Sequence, residues 1–208
     1  MTMRIAIRRF PACQNGASAA EFALVLPILL LFLFGIIDIG RLMWTLNGAE
    51  KATQMGARAA IVSNYVPGGL ASKDYGADLG QGAAIPLSQF GAARCTKPLG
   101  TVTCNCTTTP CPTLTPTNSD TFNAIVTRMR SIAPAIAETD VRITYTNSGL
   151  GYAGDPNGAD VAPLVTVDAV GIDFTPLLFQ FFGASFNLPT ISATLTMEDG
   201  EGAVTESN

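Results

Sequence analysis

The chain has 208 residues, 48 % of them hydrophobic and 13 % charged, with no histidine and a formal net charge of −4. Without an imidazole there is no His-based triad and no His metal site, and an acidic balance lacks the basic face that nucleic acid requires. The charge is unevenly spread: from Asp38 onward nine Lys and Arg stand against fifteen Asp and Glu, a formal −6, whereas Arg4, Arg8 and Arg9 open the chain with no acid among them.

Residues 1–16 read as a basic cytoplasmic leader, and residues 17–40 as a transmembrane helix. Segment 22–37 holds no charge. At about 1.5 Å per residue, the stretch from Ala17 to Gly40 covers roughly 36 Å, enough for a hydrocarbon core of about 30 Å with some tilt. Its Leu, Ile, Val and Phe side chains outweigh the one carboxylate, Glu21, near its edge. The positive-inside rule leaves the N-terminus in the cytoplasm and exports everything after Gly40. A cleaved secretory signal would have a shorter apolar core ending in a small-x-small site. Here the core runs into Ile37-Asp38-Ile39-Gly40-Arg41, so the reading is a retained signal-anchor, with a cleaved signal or a buried soluble helix as alternatives.

Within the span, Ala17, Ser18, Ala19, Ala20 and Ala23 permit close helix approach. Pro27 removes a backbone donor, a potential kink. Asp38 and Arg41, three apart on one helix face, read as a solvated pair that marks depth at the outer interface, with no catalytic role.

A basic leader, a glycine, four small residues, then Glu and an aromatic is a pattern that resembles type IV-like prepilins. More closely, Glu21-Phe22-Ala23-Leu24-Val25-Leu26-Pro27 followed by Ile37-Asp38-Ile39-Gly40-Arg41 resembles the TadE-like family of the tight-adherence (Flp) pilus system, over about residues 14–62. The resemblance implies a minor pilin or pseudopilin of the inner membrane whose leader is removed by an aspartyl prepilin peptidase after Gly16, leaving Ala17 as the new terminus. Its implied partners are other pilins and the inner-membrane assembly machinery. Flp-type prepilins usually carry Tyr after the Glu, whereas this chain has Phe22.

The spacing also has a physical reading of its own. Lipid penalises a carboxylate by about 2.5–3.5 kcal/mol at the bilayer centre and less toward the edge, where Glu21 lies, so one retained within the span has a use. A cut after Gly16 would create an ammonium on Ala17, one helical turn before Glu21. Such a pair, within one subunit or between neighbours, would offset the cost of burying either charge and set axial register. The alternative is a Glu that snorkels or stays protonated.

The helical pattern continues as an exported segment over residues 41–62. Leu42, Leu46, Ala49, Ala52, Thr53, Gly56, Ala59 and Ala60 recur at spacings of three and four, opposite Asn47, Glu50, Lys51, Gln54 and Arg58. This stripe needs a globular head to pack on. Trp44, the only tryptophan, suits the membrane interface or a core.

Residues 63–208 form that head. In 63–119 Gly, Pro, Ser and Thr dominate and periodicity vanishes, which predicts a long irregular region. Cys95, Cys104, Cys106 and Cys111 lie in its stapled part, 66–119, and Cys13 lies in the leader. In an oxidising compartment four thiols in such a loop read as two disulfides, with three pairings open. The paired Cys-x-x-Cys arrangement of zinc sites is missing.

From Asp120 a second helix is predicted, with Phe122, Ile125, Val126, Met129, Ile132, Ala133 and Ile136 on one face and Pro134 at its fraying end. Three amphipathic strands follow: one on Val141, Ile143 and Tyr145, one over 164–174, and one on Ile191, Ala193, Leu195 and Met197. The apolar side of the middle run switches after Val167, which predicts a bulge near Ala169. Pro176 to Gly183 reads either as a short helix closing the core or as an exposed patch for a partner or a membrane surface. The loop Asp155 to Asp160 has calcium-like oxygens but no closing Glu, so it reads as a solvated turn. Asp168 and Asp173 belong to no identifiable cleft, and Gly-rich phosphate loops are missing.

The expected fold is therefore α+β and pilin-like: a long N-terminal helix, a second helix and a small, mainly antiparallel sheet of about three strands. The expected function is association in pilus assembly and adhesion, with no cofactor and no catalysis. A signal-anchored periplasmic binding module unrelated to pili is the alternative.

Overall fold

In the computed structural model, one helix, α1 (Asn15–Ile61), runs through both parts of the molecule. The structure describes residues 15–156, 158–180, 183–197 and 200. Arg4, Arg8, Arg9, Cys13, Asn157, Phe181 and Phe182, on which parts of the sequence reading rest, lie outside the described residues. The helix continues without interruption across Pro27, whose missing N–H leaves only the Ala23 carbonyl without its usual partner.

Beyond α1 come the short helices α2 (Gly68–Ala71) and α3 (Gly76–Leu79), then strands β1 (Ala92–Thr96) and β2 (Thr103–Thr108). Helix α4 (Ser119–Arg130) begins one residue before Asp120; the Asn118 side chain caps it by accepting from the Thr121 N–H at 3.1 Å. A single 3-10 turn, Glu138–Asp140, leads into β3 (Val141–Thr146), and β4 (Leu164–Ala169) follows. Next are β5 (Asp173–Phe174), α5 (Leu177–Gln180), β6 (Phe186–Asn187) and β7 (Ile191–Thr196).

Five strands form one antiparallel sheet in the order β2-β1-β3-β4-β7, and β5 pairs with β6 apart from it. The outer half of α1 packs on β4, β7 and α4. Strand alternation selects the inner face: Val141, Ile143, Tyr145, Val165 and Val167 are buried, while Arg142 is exposed and Thr144 and Thr166 are half-buried. Onto that face α4 lays Phe122, Ile125, Val126 and Met129, and α1 lays Ala49, Ala52, Ala57 and Ala60. The alanines and Gly56 let the helix come close. A Cβ on Gly56 would stand 2.8 Å from Met129 and 3.3 Å from Val167.

The α+β expectation holds, with five strands in the main sheet against the three expected. The two extra strands, β1 and β2, lie inside the stretch read as irregular. Strand β2 is a sheet edge with mostly exposed Thr, Asn and Cys side chains, so it has no apolar alternation to find. The predicted bulge near Ala169 is a change of sheet. Strand β4 ends there, the Val170 N–H donates to the Asp140 carbonyl, and Gly171 turns the chain at φ +66° into β5. Glycine reaches that conformation without the Cβ clash other residues meet.

Candidate functional site

Helix α1 changes character at one residue. From Ser18 to Ile37 no side chain is buried, although this is the most apolar part of the chain. At about 1.5 Å per residue this bare half is roughly 30 Å long, the thickness of a hydrocarbon core. Among the described residues, it belongs to the one helix long and apolar enough to cross a membrane. Gly16 and Glu21 are exposed, Ala17 lies within the same helix, and among the described residues Glu21 has no ion-pair partner. Phe22 is exposed beside it.

Among the described side chains of α1, Asp38 is the first buried one, at 8 % exposure. It forms the expected pair with Arg41, Nη1 to Oδ1 at 3.2 Å. The pair is not simply solvated, however. The same carboxylate accepts the backbone N–H groups of Leu177 at 2.8 Å and Leu178 at 3.2 Å, the first turn of α5. Arg41 in turn places its guanidinium 5.5 Å from the centroid of Phe174 on β5. A carboxylate removed from water needs such donors. Asp38 and Arg41 thus clamp the segment β5–α5 onto the helix where the head begins.

Residues 16–58 match the family model described as TadE-like protein. Over these residues the helix is similar to that family. The match begins at Gly16, covers the bare half and the clamp residues Asp38 and Arg41, and stops within the packed half of α1. No curated protein and no solved structure matches the chain. The TadE-like segment therefore contributes one side of the clamp, and the unmatched head contributes the other.

Sequence reasoning placed Asp38 and Arg41 together but missed Phe174, Leu177 and Leu178. The only available signal was the carboxylate itself, since an acid bordering an apolar run requires partners from somewhere. The segment Pro176 to Gly183, left open between core closure and a contact surface, contains the short helix α5, with Pro176 buried ahead of it. Leu177 and Leu178 are half-buried against α1, and Phe179 and Gln180 face outward.

Elsewhere in the head, disulfides and polar contacts join the elements. The disulfides are Cys95–Cys104 and Cys106–Cys111. The first joins directly opposed positions of β1 and β2, so it staples the edge hairpin to the sheet. Lys97, at the start of the hairpin turn, bonds Asn123 of α4 at 2.8 Å and Glu138 at 2.6 Å, and this ammonium holds the Glu138 carboxyl below its ordinary range. Asp160 departs from the solvated turn expected of its loop. It is buried and accepts the N–H groups of Tyr75 at 2.6 Å and Asp155 at 3.0 Å, fastening α3 to the loop. Among the described residues no His, Cys, Asp and Glu group could hold a metal ion. Asp168 is half-buried on β4 and Asp173 is exposed on β5.

An open cavity of about 1100 Å³ lies between the start of α4 and the loop 151–162, bordered by Tyr65, Asn118 and Val161. Its back wall is cross-linked by hydrogen bonds and a ring contact. Tyr65 donates to the Val161 carbonyl at 2.6 Å and stacks on Tyr145 with centroids 6.0 Å apart, and the Tyr145 hydroxyl accepts the Val66 N–H at 3.2 Å. Burial raises both phenols well above their ordinary pKa.

Proposed function

We propose that this chain is a minor pilin or pseudopilin that takes part in Flp (tight-adherence) pilus assembly and surface adhesion. The bare half of α1 holds it in the inner membrane in a single pass, with the N-terminus cytoplasmic and the head periplasmic or in the pilus. What supports this reading most is that the TadE-like match coincides with a helix whose apolar half the head leaves uncovered. An apolar surface of that length is a docking face for lipid and for other helices.

Its mechanism is association without substrate turnover. Other pilins and the inner-membrane assembly machinery pack on the bare half, and prepilin peptidase cuts after Gly16. The freed ammonium on Ala17, or that of a neighbouring copy, then neutralises Glu21 and sets the register between subunits. Phe22 and Pro27 lie on the same uncovered half of the helix.

Intact-mass measurement after membrane extraction tests the processing: loss of residues 1–16 is expected, and cleavage near residues 40–50 would remove the anchor and end the proposal. The Glu21→Leu variant should still insert, while its recovery with assembled pili drops by about tenfold or more, the scale expected when a desolvated charge pair loses one member. Unchanged assembly would sink the registering role.

A further inference from the structure

We infer that the flap formed by β5, α5 and β6 is a foot that rests on the outer leaflet, giving the head a second membrane contact beside its span. This rests on the reading of the bare half as membrane-spanning. The flap's height is set by the clamp: Leu177 and Leu178 bond Asp38, the residue at which the bare helix ends. If Ser18 to Ile37 fills a hydrocarbon core of about 30 Å, then Asp38 lies at its polar boundary, and so does α5.

The flap has the composition that boundary favours. Apart from the exposed Asp173 that opens β5, the chain carries no charged side chain from there to Glu198. Phe179 is 53 % exposed and Phe186 45 %, and Phe186 leans on Phe174 with ring centroids 5.4 Å apart. Aromatic rings with backbone and hydroxyl groups around them partition to the headgroup level. Arg41, half-exposed with its guanidinium over Phe174, is placed to reach phosphates while its stem stays in apolar surroundings. Six residues and about 9 Å beyond Asp38 along the helix, toward the outer edge of the headgroup region, Trp44 is 83 % exposed.

A lipid surface explains this arrangement better than a protein partner does, because the patch is continuous with the membrane-facing helix and shares its level. The consequence is orientation: with one span the head could swivel, and with a foot it is held at a fixed angle to the bilayer.

The test uses the full chain in phosphatidylcholine vesicles brominated at defined acyl depths. Trp44→Phe removes the only tryptophan, and single reporters are then introduced as Phe179→Trp, Phe32→Trp and Leu150→Trp. The Phe179→Trp reporter should show a blue-shifted emission, quenched more by shallow than by deep bromines. Phe32→Trp, on the bare half, should be quenched by deep bromines. Leu150→Trp, in the loop at the opposite end of β3 and β4, should keep its emission. Quenching of Phe32→Trp without Phe179→Trp would overturn the foot and leave the anchor intact. Loss of both would remove the anchor and the foot with it. Equal quenching of Leu150→Trp would mean nonspecific adsorption of the head and would overturn the foot.

Discussion

The two halves of α1 are one continuous helix, yet their side chains follow opposite rules. The bare half carries Phe22, Leu24, Ile28, Leu31, Phe32 and Ile36, all exposed, while the packed half buries Ala49, Ala52, Ala57, Ala59 and Ala60. The more apolar half is therefore the less buried. Large side chains suit lipid, which adapts its shape to them, whereas a rigid sheet admits a helix only where the side chains are small. Hydropathy alone would have placed the core in the wrong half.

Matched substitutions in the two halves or regions should separate these roles. The largest effect is expected from Phe122→Ala in the head, which removes a fully buried ring and should cost about 3–5 kcal/mol in denaturant unfolding of the micelle-bound chain. Phe32→Ala on the bare half should leave that transition where it is; a shift of comparable size would mean the bare half is part of the folded core. The second effect comes from replacing Cys95 and Cys104 by Ala together. Their bridge spans a sequence separation of 9, and a loop of that size contributes roughly 2–3 kcal/mol. No loss of stability would show that the hairpin's pairing, not its crosslink, holds the edge.

Gly56→Leu should follow, at about 1–3 kcal/mol, because the new side chain must displace Met129 and Val167. Gly35→Leu is its control, since a Cβ there meets nothing within 4 Å. The smallest effect concerns alkaline pH. Tyr65 and Tyr145 are buried and their pKa values raised above the ordinary 10.0, so the fold holds the neutral phenol. Their contribution is whole below pH 10 and declines as pH rises, because only the unfolded chain then ionises. By pH 11 each should have lost about 1 kcal/mol. Tyr65→Phe should flatten that decline in a pH series of unfolding midpoints, whereas an unaltered slope would show that Tyr65 does not carry it.

Much of the fold was legible in local pattern. The long helix, the buried face of α4 and the alternation of β3 and β4 each express one periodicity over one continuous segment. The hairpin β1–β2 was not legible, since an edge strand stapled by a disulfide needs no apolar side. The break after Ala169 appeared only as a change of face, which a bulge and a new sheet produce alike. At the candidate site, one partner of each contact was visible: Asp38 and Arg41 stand out in their run, but nothing in Phe174, Leu177 or Leu178 points back across the chain.

The sequence by itself determined that a membrane-length helix leads the chain, where its charges lie, and which thiols could pair. Those properties follow from composition and spacing within a few turns. Only the tertiary structure decided which carboxylate anchors which segment, which cysteines join, and that the head meets α1 first at Asp38. Those are contacts between residues as much as 140 positions apart, and no local periodicity carries them; they arise because the sheet, α4 and α5 must share one helix face.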